Sequence, residues 1–128
     1  MSSTKKRGYM VERKVRMMFE KYGWKTIRAG ASLGEADIVC IKSGVCILIQ
    51  IKSTKRKKLY YYDYMKPALQ GFRFLIVVDF GYGKIRISKP KKTLEPTEGI
   101  LLEKFLKISK PTSAVKLLDT KYKTFKYI

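Results

Sequence analysis

The sequence predicts an α/β fold in which a mixed central β-sheet of about five strands is flanked by helices. Two apolar segments rich in β-branched residues, 36–41 and 45–51, are separated by three residues that signal a β-hairpin. Residues 72–80 form a third apolar strand, and segments with helical spacing precede and follow the strands. Because 45% of the 128 residues are hydrophobic, we expect one domain over residues 1–128 with a single core.

The first expected element is a helix over residues 9–22, where apolar side chains recur at i, i+4, i+7, i+8 and i+11. Gly23 is placed to end this helix. Glu12 borders the apolar stripe, where it either serves as a surface counter-charge or reaches a site on the neighbouring sheet. Residues 24–27 are expected to form a short edge strand, and residues 28–34 form a loop of small residues.

The remaining elements follow the hairpin. Residues 63–70 predict a helix that an internal proline limits to one or two turns. The strand at 72–80 turns into an alternating edge strand at 84–88. Residues 100–108 fit a helix that packs on the sheet, and residues 114–118 a last short helix.

The hairpin brings polar side chains together. If Ser43 and Gly44 form a two-residue loop, Asp37 faces Gln50, with Cβ atoms ~4.5–5.5 Å apart. Lys52 points to the same side of the strand as Gln50. Burying such groups costs several kcal/mol unless each finds a partner or an ion. The hairpin therefore predicts a functional site.

The oxygen atoms of this site favour a hard metal ion. Glu12, Asp37 and Gln50 supply oxygens, which are the ligands that Mg²⁺ prefers. Such an ion polarises a phosphoryl oxygen and lowers the pKa of a bound water, while Lys52 positions or deprotonates that water. The set favours phosphodiester hydrolysis.

The charge balance predicts a polyanionic partner, and nucleic acid is the polyanion we expect. Twenty-nine Lys and Arg against ten Asp and Glu give a net charge of +19. Three basic segments suit a phosphate backbone: an arm at residues 1–7, a run at 55–58 that tyrosines follow, and a tail at 109–128. Segments of this composition can also be solvated without a partner. The candidate DNA contacts in the first two segments are Lys5, Lys6, Arg7, Lys55, Arg56, Lys57, Lys58 and Tyr60.

Several protein classes are excluded. No apolar run approaches the ~20 residues that span a bilayer, and the N-terminus lacks the apolar core of a signal peptide, so we expect an intracellular protein. Cys40 and Cys46 point to opposite faces of the predicted hairpin, which disfavours a disulfide. No His or CxxC motif offers a zinc site.

The site belongs to a longer ordered series of residues. In order and spacing, residues 8–60 resemble the archaeal Holliday junction resolvases of the PD-(D/E)xK nuclease superfamily, which have a restriction-endonuclease-like fold. The residues that carry this resemblance are Gly8, Val11, Glu12, Arg13, Tyr22, Gly23, Trp24, Arg28, Ser32, Asp37, Ile38, Val39, Gln50, Ile51, Lys52, Ser53, Leu59 and Tyr60.

The resemblance implies that Glu12, Asp37, Gln50 and the backbone carbonyl of Ile51 surround Mg²⁺ or Mn²⁺, and that Lys52 assists the nucleophilic water. Gln50 stands where most of these resolvases have glutamate, which removes one negative charge and weakens cation affinity. Glutamine at this position also occurs in restriction-type relatives.

The resemblance also implies that Arg13, Arg28 and the catalytic candidate Ser32 lie near the scissile phosphate. The protein is then expected to cut branched DNA as a homodimer, in an archaeal cell or an archaeal virus. Residues 61–71 are shorter than the helix that contributes to the dimer surface of these resolvases. A restriction- or repair-type nuclease and a non-catalytic nucleic-acid-binding module remain alternatives.

Overall fold

The computed structural model of the chain describes residues 3–30, 36–61 and 72–119, with side chains from residue 8 onward. Helices lie on the sheet formed by most of the strands, as the sequence predicts. The elements are α1 (Ser3–Lys21), β1 (Lys25–Arg28), β2 (Ile38–Lys42), β3 (Val45–Ser53), β4 (Leu59–Tyr60), β5 (Arg73–Asp79), β6 (Ile85–Ser88), β7 (Thr93–Leu94), β8 (Ile100–Leu101), α2 (Leu102–Lys107) and α3 (Pro111–Asp119).

The central sheet is mixed. Its strand order is β1-β2-β3-β5-β6-β8, and β3 and β5 are parallel whereas the other neighbours are antiparallel. The predicted mixed α/β architecture is confirmed, with six strands instead of about five. Strands β4 and β7 form a separate two-stranded sheet that the sequence did not indicate.

The sixth strand corrects two predictions. Residues 84–88 were expected to form an edge strand, but β8 pairs with the outer side of β6 through Ile87 and Ile100. The expected helix over 100–108 therefore begins at Leu102. The cause is Gly99, which has φ +71° and approaches β6 so closely that a Cβ atom would lie 2.4 Å from the Ile87 carbonyl oxygen. The chain joins the sheet before it becomes helical.

Helix α1 is longer than predicted at its N-terminus. It begins at Ser3 instead of residue 9, so residues 3–7 of the expected basic arm are helical. Lysine and arginine are good helix formers, and no proline interrupts this segment.

The C-terminal end of α1 matches the prediction. The Gly23 amide donates to the Glu20 carbonyl and the Trp24 amide to the Phe19 carbonyl, both at 3.1 Å, which is a Schellman motif. The Trp24 ring then packs edge-on against Phe19 with ring centroids 5.5 Å apart. This contact fixes the direction in which the chain enters β1.

Later predictions have mixed outcomes. Helix α3 contains the expected helix at 114–118. The helix expected at 63–70 and the end of the basic tail, residues 120–128, lie outside the described residues.

Alternation along β3 separates two apolar layers. Ile47 and Ile49 pack with α1 in the main core. On the neighbouring strand β5, Ile76 and Val78 belong to a second cluster on the other face of the sheet. Both cysteines are free thiols, and burial raises the pKa of Cys40 in the main core. Within the described ranges, no helix is both long enough and apolar enough to cross a membrane.

Candidate active site

The β2–β3 hairpin has the predicted register. Lys42 faces Val45 across the turn, and Ile38 faces Ile49 at the far end of the ladder. Beyond that pair, the Asp37 amide donates to the Ile49 carbonyl at 2.7 Å, which is one residue out of the register of the ladder. Asp37 and Gln50 are in contact, as predicted, but through a side-chain hydrogen bond and not as a regular facing pair of the ladder.

One oxygen of Asp37 accepts two hydrogen bonds. The Gln50 Nε2 atom donates to Asp37 Oδ2 at 2.9 Å, and the Ile51 backbone amide donates to the same oxygen at 2.7 Å. Hydrogen bonds to a carboxylate are stronger than those between neutral groups. They fix the orientation of this half-buried side chain before any ligand arrives.

The other end of the Gln50 carboxamide is unsatisfied. Gln50 is buried, and its Oε1 has no hydrogen-bond partner in the described structure. Exchanging the amide oxygen and nitrogen would not help, because an oxygen would then face the Asp37 carboxylate. A buried acceptor without a partner costs roughly 1–3 kcal/mol. This oxygen is therefore an acceptor for which the described structure supplies no donor.

Glu12 reaches the site from helix α1. Its side chain is 16% exposed, and Oε2 lies 3.0 Å from Arg28 Nε. Arg28 ends β1 and pairs with Ile38, the residue after Asp37, which brings the ion pair to the end of the hairpin. A cleft of about 330 Å³ joins these groups, and it is lined by Gly8, Tyr9, Glu12, Arg28, Asp37 and Ile51.

The donors around the cleft fit a hard divalent cation. Glu12, Asp37 and Ile51 line the cleft, and the buried Oε1 of Gln50 belongs to the side chain that bonds Asp37. Oxygen atoms of these types are what Mg²⁺ takes as ligands. In the described ranges no three or more Asp, Glu, His or Cys side chains cluster at metal-binding distance. Gln50 carries a further side-chain oxygen beside Asp37, but it does not line the cleft.

Two further candidates do not line the cleft. Lys52 is exposed, and the alternation of β3 directs it to the same side as Gln50. Arg13 is exposed on the outer face of α1, where it borders a separate apolar groove with Met10 and Met17. The catalytic candidate Ser32 lies outside the described residues.

The basic run after β3 forms a loop at the same end of the strand. Thr54 Oγ1 accepts a hydrogen bond from the Arg56 amide at 3.1 Å, and Lys58 lies 3.6 Å from Glu95. Lys55, Arg56 and Lys57 are exposed, as is Tyr60 on β4. The predicted contacts at residues 5–7 belong to α1, but their side chains lie outside the described part of the chain.

Sequence reasoning did not single out Tyr9 as a site residue. It lines the cleft, and its ring centroid is 5.8 Å from Arg28 Cζ. The available signal was its spacing, because Tyr9 precedes Glu12 by three residues and so shares its helix face. The Tyr9 ring thus contacts the guanidinium of Arg28, which forms the ion pair with Glu12.

Comparisons with known proteins find relatives of this chain in sequence and in fold. A crossover junction endodeoxyribonuclease Hjc from Sulfurisphaera tokodaii is 38% identical in an alignment of 78 residues that covers 57% of this chain and 53% of the relative. The chain thus matches about half the length of that curated relative. The structure of Archaeoglobus fulgidus Hjc, a Holliday junction resolvase, covers 70% of this chain and 84% of its own with a TM-score of 0.56 at 19% identity, which shows a shared fold.

The match that defines the family covers the site. The family model described as archaeal Holliday junction resolvase (Hjc) matches residues 3–66, which are half of the 128 residues and include Glu12, Asp37, Gln50 and Lys52. This chain therefore belongs to the archaeal Holliday junction resolvase (Hjc) family.

Proposed function

We propose that this protein is a metal-dependent endonuclease that resolves four-way DNA junctions by phosphodiester hydrolysis. The observation that carries the proposal is the Asp37 carboxylate, fixed by Gln50 and the Ile51 amide beside a cleft that Glu12 also lines. Membership of the Hjc family supports a branched DNA substrate. The S. tokodaii relative is named a crossover junction endodeoxyribonuclease, which supports the reaction class.

Glu12, Asp37, Gln50 through Oε1 and the Ile51 carbonyl would hold Mg²⁺, or Mn²⁺, in this cleft. When bound, such an ion polarises the phosphoryl oxygen and lowers the pKa of a coordinated water. The orphaned Gln50 oxygen supports this assignment, because a cation would satisfy an acceptor that is otherwise buried without a partner.

The side chains divide the remaining work. Lys52 is exposed on the side of β3 that carries Gln50, and we assign it to orienting the attacking water or stabilising negative charge that develops on the phosphate. Arg28 uses Nε for Glu12, and its side chain is 57% exposed, which leaves donors to hold a phosphate oxygen in the cleft. Both roles need a positive charge at the end of the hairpin.

The basic surface supplies affinity for the DNA backbone. Lys55, Arg56 and Lys57 are exposed beside the site, and the whole chain carries +19. Each phosphate contact releases counterions, so binding weakens steeply as salt rises. Replacing one of these residues should reduce the salt slope by about 1 without changing substrate preference.

We further propose that the active form is a homodimer. Two opposed cuts in one junction require two sites related by a two-fold axis. Sedimentation equilibrium of the protein, alone and with a four-way junction, tests this proposal. A single protomer per junction would contradict it.

A cleavage assay tests the activity. Four-way junctions are incubated with Mg²⁺ or Mn²⁺ and wild type, Asp37→Asn or Lys52→Ala, with Glu103→Gln as a control on the exposed side of α2. We expect paired cuts by wild type and the control, and at least a ~100-fold loss in both site variants, as when one electrostatic catalytic group is removed. Equal residual nicking by wild type and Asp37→Asn, or none by either, refutes the proposal.

A second function is favoured by one specific observation. The Gln50–Asp37 hydrogen bond stabilises the carboxylate without any cation, which suits a non-catalytic DNA-binding module. Such a protein binds junctions with the same affinity after Asp37→Asn, and neither wild type nor Gln50→Glu cuts them. Equal cleavage of linear duplex and junction would instead indicate a restriction- or repair-type nuclease.

A further inference from the structure

The turn between β5 and β6 presents an aromatic side chain to solvent. Tyr82 is fully exposed and has φ +53°, a left-handed conformation that residues with a Cβ rarely adopt. It stands between Gly81 and Gly83, which also have positive φ values. A tyrosine gains no burial in this position, so packing does not explain its presence.

The turn that carries Tyr82 is firmly held. The Phe80 amide donates to the Lys84 carbonyl and the Lys84 amide to the Gly81 carbonyl, both at 2.9 Å. The Gly81 amide also donates to Asp79 Oδ1 at 2.8 Å, and the other Asp79 oxygen lies 3.3 Å from Lys14 Nζ on α1. These bonds hold the backbone, so a ligand that meets the ring has little chain to order.

The turn lies at the same end of the sheet as the candidate active site. Strands β3 and β5 are parallel, with Lys52 facing Val78, and the Thr54 amide donates to the Asp79 carbonyl at 3.0 Å. Tyr82 is four residues beyond Val78. At ~3.4 Å per residue and ~4.8 Å between strands, its Cα atom is no more than about 18 Å from that of Lys52. DNA rises ~3.4 Å per base pair, so these two Cα atoms are separated by no more than the length of about five base pairs.

We infer that Tyr82 stacks on a base that the branch point of a DNA junction leaves exposed. The inference rests on the proposed function, from which it takes the four-way junction as the substrate. Base faces are covered inside a continuous duplex, whereas they become accessible where strands exchange, and aromatic rings stack on them irrespective of sequence. The neighbouring Lys84 is exposed and supplies a positive charge for the adjoining phosphate. Tyr82 thereby distinguishes a junction from linear duplex.

Binding measurements without cleavage test this role. A four-way junction and a linear duplex with the sequence of one arm are titrated in EDTA with wild type, Tyr82→Ala and Tyr82→Phe. We expect Tyr82→Ala to weaken junction binding by about 5- to 150-fold, the range for one base–aromatic stack, and to leave duplex binding unchanged. Tyr82→Phe keeps the ring and should bind as wild type does. Equal effects of Tyr82→Ala on both DNAs, or no effect on the junction, overturn the inference.

Fluorescence of Tyr82→Trp gives a second readout. The native Trp24 is buried and contributes a constant background, which wild type measures separately. Stacking on a base quenches the added indole with the junction but not with the duplex, and equal signals for both DNAs contradict the inference. Neither measurement needs catalysis. If the wild-type protein binds the junction through Tyr82 but does not cut it in Mg²⁺, the proposed activity is refuted and the role of Tyr82 is not. Unchanged thermal unfolding of each variant excludes misfolding.

Discussion

Gln50 donates a hydrogen bond from Nε2 to Asp37 Oδ2 across the end of the β2–β3 hairpin, at 2.9 Å. A carboxamide beside a carboxylate forms a favourable pair without a metal ion. Two carboxylates at this separation would repel each other, and a cation would be needed to relieve the repulsion. The Gln50 amide therefore orients Asp37 without a cation, and the site carries one negative charge fewer than it would with glutamate at this position.

Gln50→Glu should make the stability of the protein depend on cation. At neutral pH and without metal, we expect a loss of roughly 1–3 kcal/mol, because the donor to Asp37 disappears and a second charge is buried. Mg²⁺ should raise the unfolding temperature of Gln50→Glu more than that of wild type, because ligand binding stabilises the folded state. Thermal unfolding with and without MgCl₂ measures both effects. Gln50→Met, which removes the amide but adds no charge, is the control, and an equal Mg²⁺ response in all three proteins contradicts the prediction.

Glu12→Gln should separate cleavage from binding. We expect cleavage in Mg²⁺ to fall at least ~100-fold, because a carboxylate that faces the cleft and pairs with Arg28 loses its charge. Junction affinity should stay the same or rise, since one negative charge near the phosphate is removed. Glu20→Gln is the matched control, since Glu20 is on the same helix but bonds Thr26. A comparable loss of cleavage in both variants would show an effect on the helix instead.

The centre of the site could be predicted because its contacts are local. A two-residue turn fixes the β2–β3 register as far as Ile38 and Ile49, and Asp37 and Gln50, the next residue on each strand, are then close enough for a side-chain hydrogen bond. The Glu12–Arg28 ion pair could not be predicted this way, because it depends on how α1 packs against the edge strand β1. The same limit applies to the cleft, which residues from four separate segments line.

The missed parts of the fold involve pairings between residues distant in sequence. Leu59 of β4 pairs with Leu94 of β7, and Ile87 of β6 pairs with Ile100 of β8. Strands of two residues carry no measurable alternation, so their sequence pattern cannot distinguish them from loops or from the first turn of a helix. Residues 100 and 101 extend the sheet directly after the close approach of Gly99 to β6, which depends on the tertiary structure.

Asp119 should make the stability depend on pH in the acid range. Its Oδ1 accepts from Arg73 Nη1 at 2.6 Å and lies 3.3 Å from Lys89 Nζ. Desolvation raises the pKa of Asp119, but these two partners outweigh it and hold the pKa below its ordinary value of 3.8. Stability from this group is therefore present above pH 3.8 and is lost as the pH falls through the lowered pKa.

Asp119→Asn tests this relationship. Because the carboxylate is 35% exposed and solvent screens it, we expect a loss of no more than about 1 kcal/mol at pH 7. The difference from wild type should shrink as the pH falls below 3.8. Urea unfolding at several pH values measures it, with Glu103→Gln at an exposed pair on α2 as control. A difference that stays constant down to the lowest pH rules out the ion pairs as its source.

Arg86→Met should stabilise the protein. Arg86 lies on the face of β6 opposite Ile85 and Ile87, and its Nε and Nη1 are buried with no hydrogen-bond partner in the part of the chain that the structure describes. Desolvation also lowers the pKa of this guanidinium. Methionine keeps much of the aliphatic length without donors that need partners. We therefore expect the free energy of unfolding to rise by about 1 kcal/mol and the unfolding temperature by ~3–5 °C.

Lys92→Met removes the same charge from an exposed position and serves as the control. An equal gain in both variants would assign the effect to reduced net charge, and a loss in Arg86→Met alone would show that the buried guanidinium contributes to the fold.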